Sequence, residues 1–219
     1  MSATPPFFDV RPDAHALIVV DVQNDFCTGG ALEVPDAEAI IPGINVLMDR
    51  FRTVVLTQDW HPAGHSCFAS SHPGHACYAY LDMPYGPQVL WPDHCVQESF
   101  GADFHPALVQ RAEQIIRKGF RPEIDSYSAF YENDHTTATG LAAWLRLRGV
   151  EAVTLVGLAT DFCVADSALD ALRDGFKVTV ITDLCRAIDL DGSAARALAR
   201  MRAAGVSLCE SGFPHDSRQ

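Results

Sequence analysis

Six short apolar runs, at residues 16–21, 53–58, 113–118, 152–156, 177–182 and 206–209, alternate with helical patterns along the chain. Leu17-Ile18-Val19-Val20 and Val153-Thr154-Leu155-Val156 are apolar on nearly every position. A strand apolar on both faces has to be covered on both faces, and helical crossovers between parallel strands do this. A helix over residues 37–50 fills the first crossover. Later helices over 141–148, 161–174 and 194–203 are closed by Gly149, Gly175 and Gly205, the residue that most readily takes the left-handed turn at a helix end. The expected fold is therefore α/β: a doubly wound, mainly parallel β-sheet with helices on both faces. The 219 residues suffice for one sizeable core and are short for two. No repeat, low-complexity tract or linker interrupts them, so a single domain over 1–219 is expected.

The formal charge of -12 argues against nucleic acid or an anionic membrane as a partner. No apolar run approaches the length that spans a bilayer, and residues 1–13 carry no basic stretch followed by an apolar one, so no signal peptide is visible. The seven cysteines are odd in number and irregularly spaced, with no C-x-x-C pair. That pattern fits reduced thiols and a cytoplasmic location better than a disulfide scaffold.

One segment breaks the alternation. Residues 60–105 are rich in His, Pro, Gly, Tyr and Trp and have little periodicity. They begin at the carboxyl end of the second strand, the edge where open α/β sheets hold ligands. Three other strand ends deliver reactive groups to that edge. Asp21 closes the first strand. Lys118 closes the third, with Arg117 pointing the opposite way by strand alternation. Cys163 follows the fourth strand, in the first turn of a helix that Thr160 or Asp161 would cap. A helix N-terminus favours thiolate, and its free N–H groups favour an oxyanion. Asp21 is placed to take the thiol proton, and Lys118 to hold the negative charge.

Asp59 and His61 lie two apart at the end of the second strand and face one side. With His94 they make a carboxylate-plus-two-imidazole set with open positions, suited to zinc, manganese or iron(II). His65 is near enough in sequence to be a fourth ligand, whereas His72, His75 and His105 read as surface histidines. Phe26, Trp91 and Tyr127 surround these positions, and aromatics beside a thiol suit a flat ring as substrate. Phe130 reads as core.

Taken together, these residues resemble a family. Asp21-Val22-Gln23-Asn24-Asp25-Phe26, Thr57-Gln58-Asp59-Trp60-His61-Pro62, Trp91-Pro92-Asp93-His94-Cys95-Val96, Lys118-Gly119, Asp125-Ser126-Tyr127-Ser128-Ala129-Phe130 and Gly157-Leu158-Ala159-Thr160-Asp161-Phe162-Cys163-Val164 are similar to the motifs of nicotinamidases of the isochorismatase-like cysteine hydrolases, in family order and over essentially the whole chain. The resemblance implies a catalytic triad of Asp21, Lys118 and Cys163. It implies one divalent metal, zinc first with iron or manganese as alternatives, held by Asp59, His61 and His94. His65 matches a position that is a ligand in some members only. A cis peptide between Leu158 and Ala159 would aim the Ala159 N–H, with that of Cys163, at the oxyanion. Phe26, Trp91 and Tyr127 would clamp the ring of a small substrate, nicotinamide or a pyrazinamide-type analogue. The implied reaction is hydrolysis of nicotinamide to nicotinate and ammonia through a thioester. The alternative is a related amidohydrolase acting on a carbamoyl or ureido substrate. A homo-oligomer stays open, and the 72–85 stretch has no assigned role.

Overall fold

In the computed structural model, residues 12–213 are described. The expectations for the extreme ends, the missing leader and the outer limits of the 1–219 domain among them, lie outside the described residues. Six parallel strands form one sheet: β1 (His15–Val20), β2 (Thr53–Asp59), β5 (Gln114–Lys118), β6 (Ala152–Leu158), β7 (Lys177–Arg186) and β8 (Ser207–Cys209). Their spatial order is β5-β2-β1-β6-β7-β8. Val19 stands beside Leu56 on one side and Val156 on the other. Asp59 is in register with Lys118.

Strand alternation sorts the core into two layers. Leu17, Val19, Val54, Leu56 and Val156 face α1 (Ile41–Met48), which contributes Ile44 and Leu47. Ile18, Val20, Val55, Val153 and Leu155 face the other way. They meet Leu141 and Leu145 of α2 (Leu141–Leu147), Ala168 of α3 (Ala165–Arg173) and Met201 of α4 (Ser193–Ala204). Each such Leu, Ile or Val contributes about 1.5–3 kcal/mol by leaving water. On the α1 face the 60–105 segment supplies the rest of the cover, with Phe68, Trp91 and Phe104 in the core.

Three elements differ from expectation. The helix expected over 37–50 is a 3-10 turn at Ala37–Ile40 leading into α1. Pro42 sits in the first turn of α1, where its missing N–H leaves no bond unmade. The helix expected from Asp161 is a π-helical turn over Thr160–Val164, with α3 following it. The 60–105 segment holds an antiparallel hairpin of β3 (Tyr80–Met83) and β4 (Gly86–Val89). All seven cysteines are unpaired.

The strand order reverses between β1 and β6. From there the chain winds outward through β2 and β5 on one side, and through β7 and β8 on the other. The crossovers on the two sides leave a crevice beyond the carboxyl ends of those two strands. Asp21 and Ala159 are the first residues past those ends.

Candidate active site

Asp21 takes a left-handed conformation, φ 47°, uncommon for a residue with a side chain. The site around it over-determines that turn. The Asp21 N–H donates to Thr57 Oγ1 at 3.1 Å, and the Thr57 hydroxyl donates to Asp21 Oδ1 at 2.5 Å. Asp21 Oδ2 meets Lys118 Nζ at 2.9 Å. Lys118 ends β5, and its ammonium also donates to Ser126 O at 3.0 Å, to Cys163 Sγ at 3.3 Å and to Asp59 Oδ1. The Cys163 sulfur and the Asp21 and Asp59 carboxylates lie within 4.8 Å of one another. Sequence-distant Asp21, Lys118 and Cys163 are thus brought together, while Arg117 turns outward over the Trp60 ring at 3.9 Å.

Lys118 is 1 % exposed. A buried ammonium survives only with partners, and the neighbouring Asp21 and Asp59 outweigh burial to raise its proton affinity well above the ordinary value. The carboxylates divide. Burial pushes Asp21 up to about 6, against the pull of Lys118 and with the help of Asp59. Asp59 is also buried, but Lys118, His94 and His61 outweigh that and hold its carboxyl below the usual range. Burial likewise pushes the Cys163 thiol well up, with Lys118 opposing and the two carboxylates reinforcing it. The expected helix-end lowering of this thiol is therefore overruled. The π turn around Cys163 is short and dry, and it has two anions beside it.

Asp161 caps nothing in its own helix. Its carboxylate accepts from the Ile188 and Asp189 N–H groups at 3.1 and 2.8 Å and from the Ser193 hydroxyl at 2.5 Å, tying down the loop before α4. The Leu158–Ala159 peptide is cis.

Next to this set lie Asp59, His61 and His94, one ligand atom of each within 4.8 Å of the others. His61 Nε2 is 3.8 Å and His94 Nε2 is 3.7 Å from Asp59 Oδ2. His61 Nδ1 contacts Gly119 O at 2.9 Å, and His94 Nδ1 contacts Pro92 O at 2.8 Å. A carbonyl only accepts, so both rings carry a proton on Nδ1 and aim Nε2 at the shared space. Backbone carbonyls orient metal-bound imidazoles in this way. Burial lowers His61 to about 4, keeping it neutral. These three donors fit a divalent cation. His65 does not join them: Nε2 donates to Arg121 O at 2.7 Å and Ile124 O at 3.2 Å, and Nδ1 accepts from the Cys67 N–H at 3.1 Å. It groups instead with His61, Cys67 and Asp125, one ligand atom of each within 4.8 Å of the others.

A cleft of about 320 Å³ opens between the two sets. Phe26, Trp91 and Tyr127 line it, as expected, with Phe162 and Ile188 added. Trp91 meets Phe162 edge-on at 4.8 Å between ring centres, and its indole N–H donates to the Tyr127 hydroxyl at 3.1 Å. The walls are apolar and aromatic, and the polar groups converge at one end.

Residues 15–212 match the model of the isochorismatase domain. The chain belongs to the isochorismatase family. Within it, the chain is 55% identical to the nicotinamidase of Acinetobacter baylyi over 87% of this chain and 90% of that protein. A solved nicotinamidase/pyrazinamidase of Acinetobacter baumanii has the same architecture, with TM-score 0.91, 54% identity, and 92% of this chain and 98% of that one covered. The pyrazinamidase of Pyrococcus horikoshii, solved in complex with zinc, gives TM-score 0.74 at 37% identity, covering 90% of this chain and 99% of that one. The family fold and the six-stranded sheet agree.

Several residues of the site escaped the sequence reading. Gln23 clamps the end of β2: its side-chain oxygen accepts from the Asp59 N–H and its amide donates to Asp59 O, both at 2.8 Å. Thr57 braces Asp21. Asp125 lines the cleft 3.9 Å from His61 Nε2, and the Gln88 amide donates to its other oxygen at 2.8 Å. Gln23, Thr57 and Asp125 each lie inside a motif quoted for the family. The signal for Thr57 was its two-residue spacing from Asp59. Gln88 carries no signal, because β4 has no clear pattern.

Proposed function

We infer that this chain is a nicotinamidase, hydrolysing nicotinamide to nicotinate and ammonia. The observation that carries the reading is the contact of Lys118 with both Asp21 and Cys163 at the head of an aromatic cleft, in a chain so close to a curated nicotinamidase. Phe26, Trp91 and Tyr127 hold the pyridine ring. When bound, a divalent ion on Asp59, His61 and His94 supplies a Lewis-acid anchor for the ring nitrogen. Zinc is the ion this reading assigns, because it accepts mixed imidazole and carboxylate donors and the Pyrococcus horikoshii relative is solved with it.

Asp21 takes the Cys163 proton as the sulfur attacks the amide carbon. A base pushed up to about 6 is a stronger acceptor than an ordinary aspartate, and the charged Lys118 stabilises the thiolate as it forms. The backbone N–H groups of Ala159 and Cys163 hold the oxyanion, each such donor being worth about 3 kcal/mol. Asp21 returns the proton to the leaving ammonia, and a nicotinoyl thioester remains on Cys163. Asp21 then removes a proton from water, which attacks the thioester and releases nicotinate and the thiol. No observation favours the carbamoyl or ureido alternative. The unpaired cysteines support a reducing, cytoplasmic setting.

The test is ammonia release from nicotinamide by purified protein, with elemental analysis of the same sample. Wild-type protein releases ammonia and carries a divalent metal. Cys163→Ala keeps its fold, by circular dichroism, and loses activity by at least a thousandfold. Appreciable turnover by that variant removes the covalent mechanism.

A further inference from the structure

A second cluster of ligating side chains lies away from the cleft. Cys27 follows the turn after β1, Glu38 belongs to the 3-10 turn before α1, and His105 ends the long 60–105 segment. One ligand atom from each lies within 4.8 Å of the other two. All three line a cavity of about 530 Å³ that shares no lining residue with the catalytic cleft.

The three donors sit on a fixed frame. Cys27 is 2 % exposed, and its sulfur makes no hydrogen bond to a described residue. Glu38 Oε1 accepts from the Thr28 N–H at 2.8 Å, which fixes the carboxylate. His105, expected on the surface, is half-buried. Its Nδ1 accepts from the Ala107 N–H at 3.2 Å. Coordination through either ring nitrogen gives up only that long contact, within its own turn. The backbone of His105 is anchored by its N–H on Val22 O at 3.0 Å, so the imidazole arrives on a fixed frame.

We propose that Cys27, Glu38 and His105 form a second metal site, for one zinc-class divalent cation, independent of the amide chemistry. Thiol, imidazole and carboxylate together select a borderline ion over calcium or magnesium, which prefer all-oxygen shells. On binding, the Cys27 S–H bond breaks, its proton leaves to solvent, and a sulfur–metal bond forms with no change of oxidation state. The ion joins the 27–38 region to the distant His105, and the fourth position opens on the cavity, where water or a small ligand completes the shell. The neighbour of Cys27 is Phe26, a wall of the catalytic cleft, so the second ion braces that wall from behind.

The experiment uses full-length protein expressed with cobalt(II) in place of zinc. Expected are two cobalt ions per chain and a thiolate-to-cobalt charge-transfer band in the near ultraviolet. Cys27→Ala is expected to hold one ion, to lose the band and to keep ammonia release within about twofold of wild type. Glu38→Gln and His105→Gln, which preserve shape, are expected to weaken the second equivalent at least tenfold in titration, and they decide the matter if Cys27→Ala does not fold. One cobalt per wild-type chain, a band and second equivalent surviving in Cys27→Ala, or titrations unchanged in the Gln variants would each overturn the site.

Discussion

In the proposed mechanism Asp21 acts as a base twice in each turnover, and its surroundings fix the pH at which it can act. Burial lifts it to about 6 although Lys118 touches it, and the negative charge of Asp59, which shares the same ammonium, adds to the rise. Below that value Asp21 is protonated and cannot accept from Cys163. The kcat/KM for nicotinamide should therefore fall as pH drops through about 6, tenfold per further unit. A pH profile of ammonia release reads this directly. An acid limb centred near the ordinary carboxylate value of 3.8 would show that burial is not controlling the base. In Asp21→Asn the limb should vanish along with at least a thousandfold of the rate. The meeting of Asp21, Lys118 and Cys163 was readable in the sequence because each ends a recognisable strand or follows one closely. The charge state of the thiol was not. A helix-end argument sees one local dipole, whereas the sulfur answers to burial and to two carboxylates from β1 and β2.

At the level of elements, the end of β5 does two things. Lys118 points into the triad, and Gly119, at φ 66°, turns the chain so that its carbonyl receives His61 Nδ1 at 2.9 Å. A Cβ at Gly119 would lie against the His61 ring, on Cε1 and Nδ1. Gly119→Ala should therefore displace the imidazole and strain a left-handed residue at once. The expected result is a loss of about 1–3 kcal/mol in stability, and metal affinity at least tenfold weaker, in line with lost orienting contacts. Urea denaturation and metal titration check the two effects separately. Normal metal affinity in this variant would detach Gly119 from the site. Such elements mark how far the sequence could be read. Five of the six sheet strands and the Gly-closed helices α2 and α4 were legible within a residue or two, because apolar runs and left-handed closures are local signals; β7 runs four residues past the expected 177–182. The β3–β4 hairpin was not: Tyr80–Met83 is half exposed and Gly86–Val89 contains a proline, so neither shows the alternation of a half-buried strand. The π turn before α3 was missed for a related reason. Asp161 has the composition of a helix cap, but its side chain is committed to the 188–193 loop. His65 shows the same limit in the site itself, since only the folded chain reveals that its ring nitrogens meet the Arg121 carbonyl and the Cys67 N–H.

For the molecule as a whole, stability depends on groups at both ends of the sheet. At the amino end of β1, buried His15 shares a 2.9 Å contact with Thr154 Oγ1, and burial lowers it from 6.5 to about 4. A base whose proton affinity is depressed by folding contributes stability above its unfolded value. That contribution is lost as pH falls, because the unfolded chain takes up the proton first. The unfolding free energy should decline between about pH 6.5 and 4, and His15→Gln should flatten the decline in urea titrations; an unaltered slope would place its origin elsewhere. At the carboxyl end the metal set links β2 to the 60–105 segment, which carries His94 and covers the α1 face of the core. An ion bound only by the folded chain adds about 2.7 kcal/mol when present at a hundredfold its Kd, roughly 5–10 °C in Tm for a chain this size. Chelation should therefore lower Tm by that amount, and it should do so in Cys27→Ala protein, where the ion on Asp59, His61 and His94 is the one removed. The kinetic consequence is separate. In the proposed mechanism Asp21, Lys118, Cys163 and the N–H groups of Ala159 and Cys163 do not depend on the ion, while the ring would lose its anchor. The expected signature is a larger rise in KM for nicotinamide than fall in kcat. Metal-free protein with an unchanged KM would confine the ion to a structural role and leave substrate capture to Phe26, Trp91 and Tyr127.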